Sequence, residues 1–372
     1  MRMIQNGTNS SGMRRYNERL ILSAVRRLGE ASKAELSRLT ALSPQAVVRI
    51  VDQLEEEGSL YEAGRRTGGM GQPAILYRIN SEHGCTIGVE IGRRGLILTL
   101  VDFAGHIKVA EREMTGFPSI SSTLSCIRVF MKRHLPAEIQ GYTKTFRGIG
   151  VAMPWFLGEW QQELRVSPDQ AREWQAADLG DRLETGLACP VTFENDGNAA
   201  TLAHLLCGVG QHLQSFLTIH FGTFIGGGLA LDGRIVQGTH GNAGAIASMP
   251  VGRGSRIDYL VHRGSLYTLP TDPGGHETWL ERCADALAFV VIGANSLLDL
   301  EAVVLDGALD HSLMASLVEK LQQRIASEGP VDLFRPQLLV GTFGDLAVAT
   351  GAALLPFHST FAPDLATLLK PA

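Results

Sequence analysis

The chain has 372 residues, 45% of them apolar and 19% charged, with a net charge of −5. That balance excludes an intrinsically disordered polypeptide, and the length calls for two or three domains. No apolar run approaches the roughly eighteen residues needed to span a bilayer, and the polar start MRMIQNGTNSSGMRR lacks the apolar core of a signal peptide, so a cytoplasmic protein with no membrane contact is expected.

The charge is uneven. Residues 1–80 carry twelve Lys+Arg against eight Asp+Glu, a balance of +4, which leaves 21 against 30, or −9, for the remainder. A basic block on an acidic body points to a first part that meets a polyanion. The five cysteines (Cys85, Cys126, Cys189, Cys207 and Cys283) are scattered and form no C-x-x-C pair. This argues against a disulfide framework or a cysteine-based zinc site and for buried free thiols.

After a flexible tail expected over residues 1–12, three helical patterns follow closely. In NERLILSAVRRLGE the apolar residues Leu20, Ile21, Ala24, Val25 and Leu28 recur at helical spacing, and Gly29 caps the run. Ser32 with Glu35 three residues on makes a capping box for the second helix. Ser43 caps the third, with Pro44 in its first turn, where a missing N–H costs nothing. Val47, Ile50, Val51 and Leu54 form the buried stripe of that helix, which stops at Gly58.

Strands are expected over 60–63 and 75–79, with Arg65, Arg66 and Gly64, Gly68, Gly69 and Gly71 at the hairpin tip. Residues 13–80 thus read as a winged helix-turn-helix. Gln45 and Arg49, four apart, project from the face opposite the valines, as a major-groove recognition helix requires. Arg65 and Arg66 are expected at phosphate or the minor groove. Asp52, one turn beyond Arg49, either opposes phosphate or holds that arginine in place.

From Gly84 strands alternate with helices. CTIGVEIGRRGLILTLVDFAG reads as two strands joined by a tight turn, FRGIGVAMPW as a buried strand, SFLTIHFGTFIGGGLALDGRIVQG as a second hairpin, and CADALAFVVIGANSLLDL as an apolar helix before the strand EAVVLDG. The expected class is α/β with ligands at strand ends. VTFENDGNAA sets Glu194, Asn195, Asp196 and Asn198 behind an apolar run, a crowding suited to holding hydroxyl groups.

Taken in order, GVEIGRRG, GIGVAMPW, FENDGNAATLAH, FGTFIGGGLALDGRIVQGTHGNAGAIASMPV and AVVLDGAL resemble the ROK family of repressors, open reading frames and kinases, over nearly all the chain from Gly84. The resemblance implies an actin-like, two-lobed body over residues 81–372. One lobe would cover about 81–190 plus the C-terminal helix and the other about 191–350, with sugar in the cleft and, in the kinases, ATP beside it.

The kinase machinery departs from the family pattern. Glu90 and Arg94 replace the aspartate and the small hydroxyl residue of D-x-G-G-T-K. The segment GAIAS puts Ala245 and Ser248 where G-E-I-G-H has its sugar-binding glutamate and its zinc-binding histidine, and no cysteine follows in VGRGSRIDYLVHRGSLYTLP. His262 alone cannot build a four-ligand site, so no cofactor is expected. Asp196 stands where the family has its base, and would serve either as base or as acceptor for a sugar hydroxyl. In GTFIGGG, Gly222, Thr223, Gly226 and Gly227 either cradle an anion or pack the cleft. Trp155, with Phe156 and Trp160, either stacks on a sugar ring or packs a loop, whereas Trp174 is expected to anchor its helix to the core.

These features lead to a DNA-binding transcriptional regulator, a repressor, acting as a homodimer or tetramer on an operator. Asn195, Asp196, Trp155, Gly244 and Ser248 are the expected contacts to a sugar-like effector. The rivals are an ATP-dependent sugar kinase with an added N-terminal domain, and a regulator that answers to a protein partner.

Overall fold

Helix α1 (Ser10–Leu28) begins inside the stretch expected to be a tail and ends at Gly29, whose φ of +74° allows the chain to leave the helix. The computed structural model describes residues 10–67, 73–135, 145–154, 166–252 and 257–362. Helix α2 (Lys33–Thr40) starts with the capping box: the Ser32 hydroxyl accepts the Glu35 N–H, and the Ser32 N–H donates back to the Glu35 carboxylate at 2.9 Å. Helix α3 (Pro44–Glu56) is capped by Ser43, which accepts the Ala46 N–H at 3.3 Å.

The stripe of Val47, Ile50, Val51 and Leu54 is buried against Ile21, Val25 and Leu36, while Leu28, expected to join them, is 45% exposed. Strands β1 (Leu60–Arg66) and β2 (Ala74–Ile79) form the antiparallel hairpin, longer than expected, and Ala31 bridges to Tyr77 on its free edge. Three helices and a hairpin make the head.

The body is built from two sheets of the same plan. In the first, β3 (Cys85–Gly92), β4 (Gly95–Asp102) and β5 (Ile107–Glu113) form an antiparallel meander. After α4 (Ile120–His134), β6 (Phe146–Met153) joins the other edge of β3 in parallel; α5 (Pro168–Trp174) and α6 (Leu179–Leu187) then lead to β7 (Val191–Asn195), parallel to β6. Trp174 anchors α5 as expected, buried and donating from Nε1 to the Pro118 carbonyl at 2.9 Å.

Helix α7 (Asp196–Cys207) leads to the second sheet, in which β8 (Phe216–Phe221), β9 (Ile225–Leu231) and β10 (Arg234–Ile235) are antiparallel. The short strands β11 (Pro250–Val251) and β12 (Asp258–Tyr259) pair with each other, followed by α8 (Val261–Gly264) and the long α9 (His276–Leu298). Strand β13 (Ala302–Gly307) then lies parallel to β8, and after α10 (His311–Glu328), β14 (Gln337–Val340) lies parallel to β13. The chain closes with α11 (Ala347–Phe361).

Residues 191–195 were expected to open the second lobe, but they are the edge strand of the first sheet, because Val191–Asn195 pairs with Ile149–Met153. Strand β5, whose mixed sequence IKVAERE carries no clear alternation, was not expected at all.

Two helices, α11 and α7, lie packed together between the sheets. Backbone meets backbone there. A Cβ at Gly150 of β6 would stand 1.8 Å from the Ala352 carbonyl oxygen of α11, and one at Gly351 of α11 would stand 1.7 Å from that of Ala199 on α7. Side chains are excluded at these points, so the joint between the lobes is packed with little slack. All five cysteines are free; Cys189 and Cys283 are buried as expected, while the other three are only half-buried. Among the described residues no helix is long and apolar enough to cross a membrane.

Candidate effector site and nucleic-acid interface

The parallel strands β3, β6 and β7 present their carboxyl ends side by side, the place where open α/β sheets bind ligands. Glu90, Ala152 and Glu194 are in register across them, and Asn195 follows opposite Met153. Asn195 caps α7: its Oδ1 accepts the Gly197 N–H at 2.9 Å, and Asp196 Oδ1 shares the same proton at 2.8 Å. Burial pushes the Asp196 carboxyl above its ordinary range, opposed by the amides of Gly197 and Asp196 and by the Asn195 side chain.

Glu90 is half-buried, and its Oε2 is shut off from solvent without a hydrogen-bond partner. Burial, with Asp196 and Asp345 nearby, pushes its carboxyl up to about 8 against the pull of Arg94 and Arg112. At neutral pH Glu90 is therefore largely protonated and can donate a hydrogen bond, which an ionised metal ligand cannot. Arg112 is spent on Asp345, in a two-pronged pair at 2.7 and 2.8 Å.

The turn after β8 is a poor anion cradle. Its Gly222 N–H goes to the His220 carbonyl, and the Ile225 N–H goes to the Ser265 hydroxyl at 2.9 Å. Thr223 offers its carbonyl to the Tyr267 N–H, and a Cβ at Gly226 would meet open space. Gly227 instead serves packing: a Cβ on Gly197 would stand 2.0 Å from its carbonyl oxygen. A Cβ on Gly244 (φ +81°) would likewise meet Gly228 at 2.7 Å, so the loop carrying GAIAS is seated on β9 beside the start of α7. Asn195, Asp196 and Gly244 are thereby gathered at one place.

Ser248 lies exposed at the end of the following 3-10 turn, and no hydrogen bond among the described residues ties it to Asn195 or Asp196. Trp155, Phe156 and Trp160 lie outside the described residues. The residues present do not fit the family's zinc. Ala245 and Ser248 offer no imidazole or carboxylate, His262 Nδ1 is 3.1 Å from the Tyr267 hydroxyl, and no group of three metal-ligating side chains occurs among the described residues.

Glu194 was noticed in the sequence, but its role was not. It is 8% exposed and accepts from the Asn195 N–H at 2.8 Å, from Asn198 at 3.1 Å and from Gln237 at 2.9 Å. It therefore fixes the strand end that presents Asn195. Gln237, 43 residues away, carried no local signal. A second buried group, also missed, sits at the end of β13. Asp306 accepts the amides of Gly307, Phe343 and Gly344, and its Oδ2 lies 3.1 Å from Nε2 of the fully buried His204.

On the head, Gln45 and Arg49 are exposed, and neither side chain has a partner among the described residues. Asp52 does not hold Arg49; it pairs with Lys33 of α2. The two wing arginines differ. Arg65 is exposed without a partner among the described residues, whereas Arg66 is turned back to Glu35 at 2.7 Å and Glu30 at 3.5 Å, because the capping carboxylate lies within its reach. Of the expected glycine tip, Gly68, Gly69 and Gly71 lie outside the described residues.

Head and body meet through α1. Arg26 donates to the Phe103 carbonyl at 2.8 Å with its guanidinium over the Phe103 ring, and its own carbonyl accepts from Gln211, just past the end of α7. Arg27 donates to the His212 carbonyl at 3.3 Å. Burial lowers the Arg26 pKa, offset by Cys207 and Asp102.

Two like-built sheets closing on a pair of helices, with polar strand ends facing the joint, define a two-lobed α/β body fronted by a small helical head. The ROK family model matches residues 86–257 of this chain. A Sinorhizobium fredii protein, y4fQ, is 25% identical over 93% of this chain and 91% of its own length. The xylose repressor of Bacillus subtilis is 22% identical over 64% of this chain, which spans about 61% of that repressor's length.

Among solved structures, a ROK family transcriptional regulator described as a homologue of the E. coli MLC protein covers 96% of this chain and 99% of its own, with a TM-score of 0.69 at 19% identity. A ROK glucokinase from Streptomyces griseus, solved with glucose and AMPPNP, covers 73% of this chain and 99% of its own, with a TM-score of 0.58 at 20% identity.

Proposed function

We propose that this chain is a DNA-binding transcriptional regulator, a repressor of carbohydrate-related genes, whose head is a winged helix-turn-helix and whose cleft takes a sugar-like effector. One observation carries the reading. The helix that begins at Asn195 and Asp196 ends against the residues that hold the head, and the head exposes Gln45 and Arg49, without partners among the described residues.

Helix α7 has 12 residues and is therefore roughly 18 Å long. A ligand that shifts its first turn shifts Gln211 and the seat of Arg26 at the other end. The effector acts on DNA binding only through different affinities for the two head arrangements. A homodimer or tetramer supplies the two heads that a palindromic operator needs. Named repressors among the relatives support the same direction.

The cleft binds without catalysis: Glu90 and Arg94 stand in place of the aspartate and small hydroxyl residue of the kinase pattern, and the GTFIGGG turn has spent two of its amides. The test is selection of bound fragments from genomic DNA at moderate salt, followed by release with a panel of sugars and sugar phosphates. Failure to enrich any fragment contradicts the proposal.

A kinase is the second reading, favoured by the raised carboxyl of Asp196, which suits a general base. ATP turnover with a hexose that Asp196→Asn abolishes would establish it. A regulator answering to a protein partner is distinguished by a melting temperature that no sugar raises.

A further inference from the structure

A cavity of about 590 Å³ lies between the head and the body. Its head wall is made by Tyr16, Leu20 and Ser23 of α1; its body wall includes Leu202 and Leu206 of α7, with Glu194 and Gln237 at the floor. The volume falls within the range of small-molecule sites, about 300–1,000 Å³. Filled with water alone it would wet a wall of leucines, so an apolar occupant gains by displacing that water.

Two of the charges on its wall are already spent: Arg27 is held by the His212 carbonyl and by the Gln214 side-chain oxygen, and Glu194 holds Asn195, Asn198 and Gln237. Asp232 and Arg234 stand at its exposed rim. Hydrogen-bonding capacity remains, however. The hydroxyls of Tyr16 and Ser23 make no hydrogen bond among the described residues, and Glu194 Oε2 accepts only from Gln237.

We propose that this cavity is a second small-molecule site, for a molecule with an apolar body and at least one N–H or O–H donor. Because its walls come from α1 on one side and α7 on the other, an occupant binds the docked head and not the released one. Glu194 faces both places, holding the Asn195 N–H with Oε1 and Gln237 with Oε2, so the site also touches the support of the cleft.

The probe is N-phenyl-1-naphthylamine, which is neutral, apolar and carries one N–H, titrated by fluorescence into the full chain. Saturable binding at one equivalent is expected, with a rise in melting temperature. Ser23→Trp fills the cavity from the head side and Leu206→Trp from the body side. Each should weaken binding at least ten-fold, and Asp196→Asn in the cleft should leave it within two-fold. Unsaturable fluorescence, binding that survives both tryptophans, or loss of binding on Asp196→Asn would overturn the proposal.

Discussion

Replacing Arg26 by Met should release the head from the body without unfolding either. The Arg26 guanidinium makes a charge-assisted hydrogen bond to the Phe103 carbonyl at 2.8 Å and stands 5.5 Å from the Phe103 ring centroid. Such a bond contributes about 1.5–3 kcal/mol, and a partly desolvated cation–π contact about 0.5–2 kcal/mol. Against these stands the cost of burying the cation, visible in its lowered pKa and in an Nε without a partner. The net loss is then roughly 1–3 kcal/mol, a five- to 150-fold shift toward the undocked head. Met keeps the apolar stem that lies over Phe103.

Hydrogen exchange resolved by peptide is the assay. Exchange should rise in residues 14–28 and 202–213, with the cores of α3 and of both sheets unchanged. Effector-induced release of DNA should weaken in parallel, since the far end of α7 then holds the head less firmly. Unchanged exchange at α1 would refute the idea that Arg26 is the latch, and exchange rising throughout the chain would show a fold defect instead.

Other outcomes follow from the same geometry. Glu90 has a carboxyl raised from 4.5 to about 8, so the folded state binds more protons than the unfolded one between those values, and stability falls as pH rises across that window. Glu90→Gln should flatten this part of a denaturant-midpoint profile, and an unaltered slope would show that Glu90 is ionised. His220 behaves oppositely: burial lowers its pKa from 6.5 to about 4, so stability is lost as pH falls through that interval, and His220→Gln should remove the slope. Gly197→Ala places a methyl 2.0 Å from the Gly227 carbonyl oxygen and should cost on the order of 2–4 kcal/mol in chemical denaturation; a cost under about 1 kcal/mol would mean that α7 and β9 can separate freely.

Local chemistry made much of this architecture legible. Ser32 with Glu35, Ser43 with Pro44, and the glycines at 29 and 58 mark helix ends by rules that operate within four residues, and all of them hold. The hairpins β3–β4 and β8–β9 announce themselves by apolar runs around a glycine turn. Asn195 and Asp196 stand where the strand end placed them.

What the sequence did not disclose depends on distant partners. Strand β7 belongs to the first sheet because of β6, about 40 residues earlier, and not because of its own residues. Arg66 reads as a wing cation until Glu30 and Glu35 fold beside it. The triple hold of Glu194 needs Gln237, and the burial of His204 against Asp306 joins two lone polar residues across some hundred positions. Glycines presented a further ambiguity. Those of GTFIGGG suit an anion loop as well as a tight joint, and only the approach of Gly227 to Gly197 separates the two roles.

The most direct test is a fluorescence-anisotropy titration of one selected duplex with the wild-type chain and with Arg49→Ala, at a single moderate salt concentration. Arg49 is exposed and has no partner among the described residues, so its removal should leave the melting temperature unchanged while weakening binding by about 1–3 kcal/mol, or five- to 150-fold. Equal affinity for wild type and variant would contradict the claim that α3 reads DNA.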